Sequence, residues 1–135
     1  MKRPTDEILE RGWMIVEPDK VIPDHQSYHQ FIIDSKAEWS VAKNGYVAGN
    51  TGWFSCRTAC YLAAGRPAVV QDTRWSQHLH SGTGVHAYTS YDDLISGIHK
   101  ITTHYEAECK AAQAFALEHF EAKKVCAKIL ADAGI

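Results

Sequence analysis

The stretch from Gly52 to Thr73 constrains the fold of this chain more than any other feature. Ser55 suits the cap of a helix, Gly65 ends that helix, and Pro67 begins the next element. The apolar run Ala68-Val69-Val70 is typical of a short strand that is covered on both faces. Helix, glycine turn and buried strand in this order predict one arm of a parallel α/β sheet.

The rest of the chain alternates strand and helix signals. Strands are predicted at about 13–16, 39–42 and 85–88 besides 68–70, and helices at 2–12, 24–35 and from 90 onward, with a break near Phe120 and Glu121. Residues 43–52 predict an irregular loop. Tyr28, Phe31, Ile32, Leu94, Ile95, Ile98, Ile101, Phe115, Leu117, Val125, Ile129 and Leu130 are the expected core contacts of the helices. The fold class is therefore α/β, a small Rossmann-like parallel sheet of about four strands flanked by helices, with an all-helical C-terminal tail.

Composition limits the size and the partners of the protein. The 135 residues suffice for one domain, 1–135, with a core. A net charge of -2 provides no basic groove for nucleic acid. Since neither a signal peptide nor a membrane-spanning run is recognisable, the expected location is the cytoplasm.

The amino end of the helix at Ser55 is the first candidate binding site. It lies between two loops, 43–53 and 73–84, that follow predicted strands, and ligands bind at this edge of open parallel sheets. Free backbone N–H groups and the helix dipole favour an anion there, and Arg57 and Thr58 add a guanidinium and a hydroxyl. The stretch is either a seat for a phosphate or an ordinarily capped helix with a solvated arginine.

Two further pairs flank this site. Asp72 and Thr73 end a buried strand, where a functional polar pair or a simple turn is equally expected. Trp53 and Trp75 flank the two loops and either stack a base or sugar or serve in packing.

Cysteine and histidine spacings indicate no metal site. The four cysteines, Cys56, Cys60, Cys109 and Cys126, form no zinc-like pattern and are expected to be free and mostly buried. His25 and His29 are one helical turn apart, and His78 and His80 lie near His86, but two ligands do not make a site. A nucleophilic Cys56 paired with a histidine is a weaker alternative that lacks a defined base. No cofactor is expected.

Three blocks carry a family likeness: residues 38–46 (EWSVAKNGY), 52–55 (GWFS) and 61–73 (YLAAGRPAVVQDT). They resemble the C-terminal, donor-binding half of bacterial GT-B glycosyltransferases. The most similar subgroup has the pattern F-S-V-A-K-x-G-Y, G-W-F-S-x-R-S and Y-L-A-x-G-R-P-V-V-V-Q-D-T-G. The blocks occur in the same order and with the same spacing, and the likeness extends more loosely from about Glu10 to Lys128.

The resemblance implies a donor site at the Ser55 helix. In that family the helix amino end and the loop before it lie against the donor diphosphate, and the Asp-Thr strand end borders the sugar. With the aromatic residue and the arginine that adjoin these positions, the candidate ligand-binding residues are Gly52, Trp53, Ser55, Arg57, Thr58, Asp72, Thr73 and Arg74. The catalytic residues stay unknown.

The chain also departs from the family pattern. Arg74 stands where the subgroup has glycine, Cys56 where an acidic residue is common, and Cys60 near the place of a ribose-binding glutamate. We expect the acceptor domain and the start of the donor sheet to be missing. Half of the catalytic cleft would then be absent, which argues against activity of the chain alone.

Three functions remain open. The first is a stand-alone remnant that binds a nucleotide, a nucleotide sugar or another phosphorylated ligand. The second is a diverged, non-catalytic domain that acts through homodimerisation or another protein partner. The third is a glycosyltransferase subunit completed by a separate acceptor-domain chain. No nucleic-acid partner and no membrane span is expected.

Overall fold

A computed structural model describes residues 4–134 of the chain. The helices are α1 (Pro4–Glu10), α2 (Pro18–Val21), α3 (His25–Asp34), α4 (Asn44–Ala48), α5 (Cys56–Ala63), α6 (Tyr91–Thr103), α7 (Tyr105–His119) and α8 (Ala122–Asp132). The strands are β1 (Glu38–Ser40), β2 (Ala68–Gln71) and β3 (Val85–Tyr88), and a 3-10 turn spans Trp75–Gln77. No helix within residues 4–134 combines the length and the apolar character needed to cross a membrane.

The chain groups into two compact units, divided between Phe31 and Ile32. The first unit contains α1, α2 and most of α3, whose amino end is capped as expected: the amide of Ser27 donates to the carboxylate of Asp24 across 2.8 Å. The second unit contains the sheet and the remaining helices. That residues 1–135 form a single domain stays a prediction, which this grouping does not test.

The sheet is parallel, as predicted, but it has three strands in the order β1-β2-β3. Glu38 is aligned with Ala68 and Val85, and Ser40 with Val70 and Ala87. The expected strand at residues 13–16 is wrong. Those residues form no ladder in the described chain and are exposed, Met14 to 84%. An apolar run makes a strand only where a second strand accepts its hydrogen bonds.

Helices cover both faces of the sheet. On one face, Leu62 of α5 and Phe115 of α7 pack with Ala68, Val70 and Val85, around the fully buried Trp75. On the other face, Ile101 of α6 packs with Val69 and Tyr88. Burial on both faces explains why β2 reads as a continuous apolar run rather than as an alternating one.

Strand β1 is confirmed but is shorter than expected. Its buried residues are polar and its exposed residues are apolar, which is the reverse of a simple core strand. Glu38 and Ser40 are buried on the α5 face, whereas Trp39 and Val41 are 47% and 59% exposed. Just after β1, the amide of Ala42 donates to the side-chain oxygen of Gln71 in β2 across 3.1 Å.

The predicted loop at 43–52 contains the short helix α4. Three cysteines, Cys56, Cys60 and Cys126, are exposed rather than buried, although all four are free.

Several of the expected helix contacts are corrected as well. The break after His119 is confirmed, and Ile32, Ile101 and Phe115 are buried as expected. The expected contacts that are exposed instead are Phe31, Ile95, Ile98, Leu117, Val125, Ile129 and Leu130. Helix α8 buries none of its residues.

Candidate functional site

The predicted site lies at the carboxyl ends of β1 and β2, around the amino end of α5. Ser55 caps α5 as predicted: its hydroxyl oxygen accepts from the amide of Arg57 across 3.2 Å. At the other end of the helix, Gly65 adopts φ +69°, the left-handed conformation that the glycine turn required. The local sequence therefore accounts for the position of this helix end above the sheet.

Two loops meet beside the helix end. The amide of Gly52 donates to the carbonyl of Thr73 across 2.8 Å, and the Thr73 hydroxyl donates to the carbonyl of Trp53 across 2.7 Å. The Trp53 ring stacks on Tyr46, with the ring centroids 4.9 Å apart. Three predicted site residues are thus brought together, and Thr73, which is 1% exposed, acts as the link between the loops.

The first turn of α5 contains two backbone donors that have no acceptor. The backbone amide of Arg57 donates to the Ser55 hydroxyl oxygen, and the amide of Ala59 donates to the Ser55 carbonyl. Within residues 4–134, the amides of Cys56 and Thr58 have no acceptor. Thr58 is fully buried and its hydroxyl has no partner, so of the two amides only that of Cys56 belongs to an exposed residue.

Arg57 is already engaged. Its Nε donates to Glu38 Oε1 across 2.6 Å, and one terminal nitrogen donates to the Ser40 hydroxyl across 3.2 Å. The Glu38 side chain is 4% exposed and its second oxygen, Oε2, is buried without a partner, whereas half of the Arg57 side chain is exposed. Glu38 was not among the predicted site residues; the signal for it was a charged residue directly before the predicted strand at 39–42.

Asp72 and its neighbours start the next turn. The Asp72 carboxylate accepts from the hydroxyl and the amide of Ser76, at 2.6 and 3.4 Å, and so binds the middle residue of the 3-10 turn. Arg74 is exposed and adopts φ +73°, a left-handed conformation that favours glycine. Trp75 is 1% exposed, with its indole N–H donating to the Gln71 carbonyl across 3.2 Å. The stacking alternative for Trp75 is therefore wrong, and its packing alternative is confirmed.

The amino end of α6 lies at the same edge of the sheet but has the opposite charge. Its capping box joins Ser90 and Asp93, and the first turn carries two carboxylates, Asp92 and Asp93. Hydrogen bonds from Ser90 and Thr89 lower the pKa of Asp93 to about 2. The first turn of α5 contains no acidic residue.

No group of three or more His, Cys, Asp or Glu side chains within residues 4–134 is arranged to hold a metal ion. The first turn of α5 brings together a backbone donor, the Ser55 hydroxyl and the half-exposed guanidinium of Arg57.

The chain matches no protein-family model, no curated protein and no solved structure.

Proposed function

We propose that this protein binds a nucleotide, a nucleotide sugar or another phosphorylated ligand at the amino end of α5, on a sheet of the Rossmann-like type. The observation that carries the proposal is the unused amide of the exposed residue Cys56 in the first turn of that helix, next to the Ser55 cap. Backbone N–H groups at a helix amino end, together with the helix dipole, favour a phosphate. The Ser55 hydroxyl accepts the Arg57 amide and keeps its own proton available for a phosphate oxygen.

The contrast with α6 supports the choice of helix. Both helices follow strands of the same parallel sheet, and both have a serine cap. The carboxylates of Asp92 and Asp93 repel an anion at α6, whereas the first turn of α5 carries Arg57 and no acid. Of these two helices, α5 is therefore the one whose first turn offers donors without a carboxylate in the same turn.

Arg74 supports the likeness to the GT-B donor half. The family pattern has a glycine after Asp-Thr, and the backbone at Arg74 adopts the left-handed conformation for which glycine is preferred. Arg74 thus replaces the glycine of the family pattern, while its backbone adopts the conformation that a glycine at this position suggests. The Arg74 side chain is exposed, so it is available to bind an anion at this edge.

A thermal-shift screen with UDP, GDP and their sugar conjugates tests the proposal. A ligand that binds the native state at 100 times its Kd stabilises it by about 2.7 kcal/mol, which raises the Tm by several degrees. The Ser55→Ala/Arg57→Ala double variant removes the hydroxyl and the guanidinium but keeps the backbone amide of Cys56, so a clearly smaller shift is expected. Ser90→Ala removes the matching cap of α6 and is expected to keep the full shift.

Two results would overturn the proposal: no shift with any of these ligands, or an equal shift in the double variant. Hydrolysis of a sugar nucleotide by the pure chain would instead favour the glycosyltransferase alternative, which needs an acceptor half from another chain.

A second function, association with a copy of the chain or with another protein, is supported by α8. Val125 and Ile129 are one helical turn apart and Leu130 adjoins Ile129, and the three side chains are 39%, 60% and 49% exposed. Apolar side chains grouped on one helix face are commonly covered by a partner. Sedimentation equilibrium measures the mass in solution. Ile129→Glu/Leu130→Glu is expected to convert a dimer to a monomer, whereas Lys123→Glu on the same helix leaves the mass unchanged; a monomeric parent protein would contradict homodimerisation.

A further inference from the structure

A cavity of about 370 Å³ lies on the α6 face of the sheet, beside the edge strand β1. Three parts of the chain line it: residues 35–39 around the start of β1, Val69 of β2, and Ile98, Ile101 and Thr102 of α6. All of them belong to the second compact unit. The volume is in the range of pockets that bind small molecules.

The inner surface of this cavity is mainly apolar, and we call it the Trp39 cavity. Its deeply buried residues are Val69 and Ile101, which are 2% and 4% exposed. Trp39 and Ile98 are 47% and 43% exposed and therefore lie toward its opening. A ligand that enters between them removes its apolar surface from water, which is the main favourable term in such binding.

The indole ring of Trp39 is held in one orientation although nearly half of the residue is exposed. Its Nε1 donates to the hydroxyl of Tyr88 across 3.2 Å, and that hydroxyl donates to the carbonyl of Ser40 across 3.2 Å. Tyr88 is 8% exposed, so the ring is bonded to a buried group. A flat ring that is already fixed loses little conformational entropy on binding, and it favours a second flat ring as its partner.

The polar groups of the lining offer little to a charged ligand. The carboxylate of Glu38 is bonded to Arg57 on the opposite, α5 face of the sheet, and the Thr102 hydroxyl donates to a carbonyl of its own helix. The ammonium of Lys36 lies 5.5 Å from the ring centroid of Tyr105, which does not line the cavity. A charged ligand would lose its hydration beside groups that already have partners, so a neutral ligand is favoured.

We propose that the Trp39 cavity binds a small neutral aromatic molecule of one or two fused rings, with the ligand ring against the indole of Trp39. Val69 and Ile101 cover the inner edge of that ring. The site is separate from the amino end of α5, because Glu38 and Trp39 are neighbours in β1 and their side chains lie on opposite faces of the sheet. The inference therefore does not depend on binding of a phosphorylated ligand.

A titration with naphthol, followed by the methyl NMR shifts of Val69, Ile98 and Ile101, tests the proposal. The saturated analogue decahydronaphthol is the comparison ligand, since it has the same carbon skeleton and hydroxyl group but no flat ring. Saturable shifts are expected with naphthol, and its Kd is expected to be about fivefold lower than that of decahydronaphthol. Absence of saturable shifts with naphthol, or equal affinity for the two compounds, would overturn the proposal.

Ile98→Trp narrows the opening of the cavity and is expected to weaken naphthol binding about tenfold. Ile95→Trp is the matched control: Ile95 lies on the same helix, is 45% exposed and does not line the cavity, so normal binding is expected. Both changes are at exposed positions, and unfolding curves check that both variants fold. Naphthol affinity in Ile98→Trp equal to that of the parent protein would contradict the site.

Trp39→Leu keeps an apolar side chain but removes the ring, and it is expected to bring the Kd values of naphthol and decahydronaphthol together. A preference for naphthol that survives this change would show that Trp39 is not the partner of the ligand ring. Sedimentation equilibrium tests the other occupant, a second copy of the chain. A dimeric parent protein that Ile98→Trp converts to a monomer would mean that the second copy covers the cavity, which would also overturn the proposal.

Discussion

Arg57 in the first turn of α5 donates its Nε–H to Glu38 Oε1 in β1, across 2.6 Å. This ion pair joins the helix end to the edge strand of the sheet and occupies the guanidinium that the sequence assigned to a phosphate. A bound anion must therefore share Arg57 with Glu38 or draw it away. The unused amide of Cys56 and the hydroxyl of Ser55 then become the primary donors, with Arg57 in a supporting role.

Arg57→Ala is expected to destabilise the protein because it leaves the Glu38 carboxylate buried without its charged partner. The loss is roughly 1.5–3 kcal/mol, the range for a hydrogen bond to a charged group. It stays below that of a fully buried pair because half of the Arg57 side chain is in solvent. Urea denaturation measures the free energy of unfolding.

The double variant Glu38→Gln/Arg57→Ala provides the control for this prediction. Removing the buried charge as well is expected to recover part of the loss, because a neutral amide is less costly to bury than a carboxylate. The effect of Glu38→Gln on the free energy of unfolding is also measured in the parent protein. If that effect is the same in the parent protein and in Arg57→Ala, the two residues are energetically independent and the interpretation is wrong.

Gly84→Ala is expected to be strongly destabilising. The residue has φ +86°, and a Cβ there would collide with the backbone of Ala111 and Ala112. Strain and overpacking together amount to at least about 2 kcal/mol. Gly45→Ala is the contrasting variant: Gly45 lies in helix α4 with open space around it, and alanine there is expected to stabilise by about 0.5–1 kcal/mol. Equal effects of the two changes would contradict the packing at Gly84.

Asp93 makes stability depend on pH in the acid range. Its pKa is lowered to about 2 from 3.8 by hydrogen bonds from Ser90 and Thr89. Because the folded state holds the ionised form, this contribution is complete above the unfolded pKa and is lost as the pH falls from about 4 to 2. Unfolding curves of Asp93→Asn are expected to show a shallower loss of stability in this window. Asp92→Asn, which changes the same charge outside the capping box, is expected to follow the parent protein.

Trp75 is expected to be the most sensitive aromatic position. It is 1% exposed, its ring packs edge-on to Phe54 with centroids 5.1 Å apart, and its N–H satisfies the Gln71 carbonyl. Trp75→Ala is therefore expected to cost about 3–5 kcal/mol. Trp13→Ala, at a 55% exposed tryptophan, is expected to cost no more than about 1 kcal/mol. Thermal unfolding of both variants compares the two, and a Trp75→Ala protein as stable as the parent would be inconsistent with this core.

The local features of the fold were predictable from the sequence. The cap at Ser55, the turn at Gly65, strand β2 and the capped start of α6 all follow from residues within a few positions of one another. Such features depend on short-range hydrogen bonds and on allowed φ values, which the residue types themselves limit. The apolar runs at 13–16 and in α8 were expected to be buried and are exposed. Burial depends on which elements pack over a run, and a local sequence pattern does not contain that information.

The sequence by itself determined the order of elements around α5 and β2, and which residues stand at the helix end. The tertiary structure alone decided which polar groups meet: Glu38 with Arg57, 19 positions away, and His86 with Glu108, 22 positions away. The reason is geometric. A hydrogen bond between distant residues forms only after the sheet register and the approach of α5, α6 and α7 bring the side chains within about 3 Å, and those distances are set by the packing of the whole core.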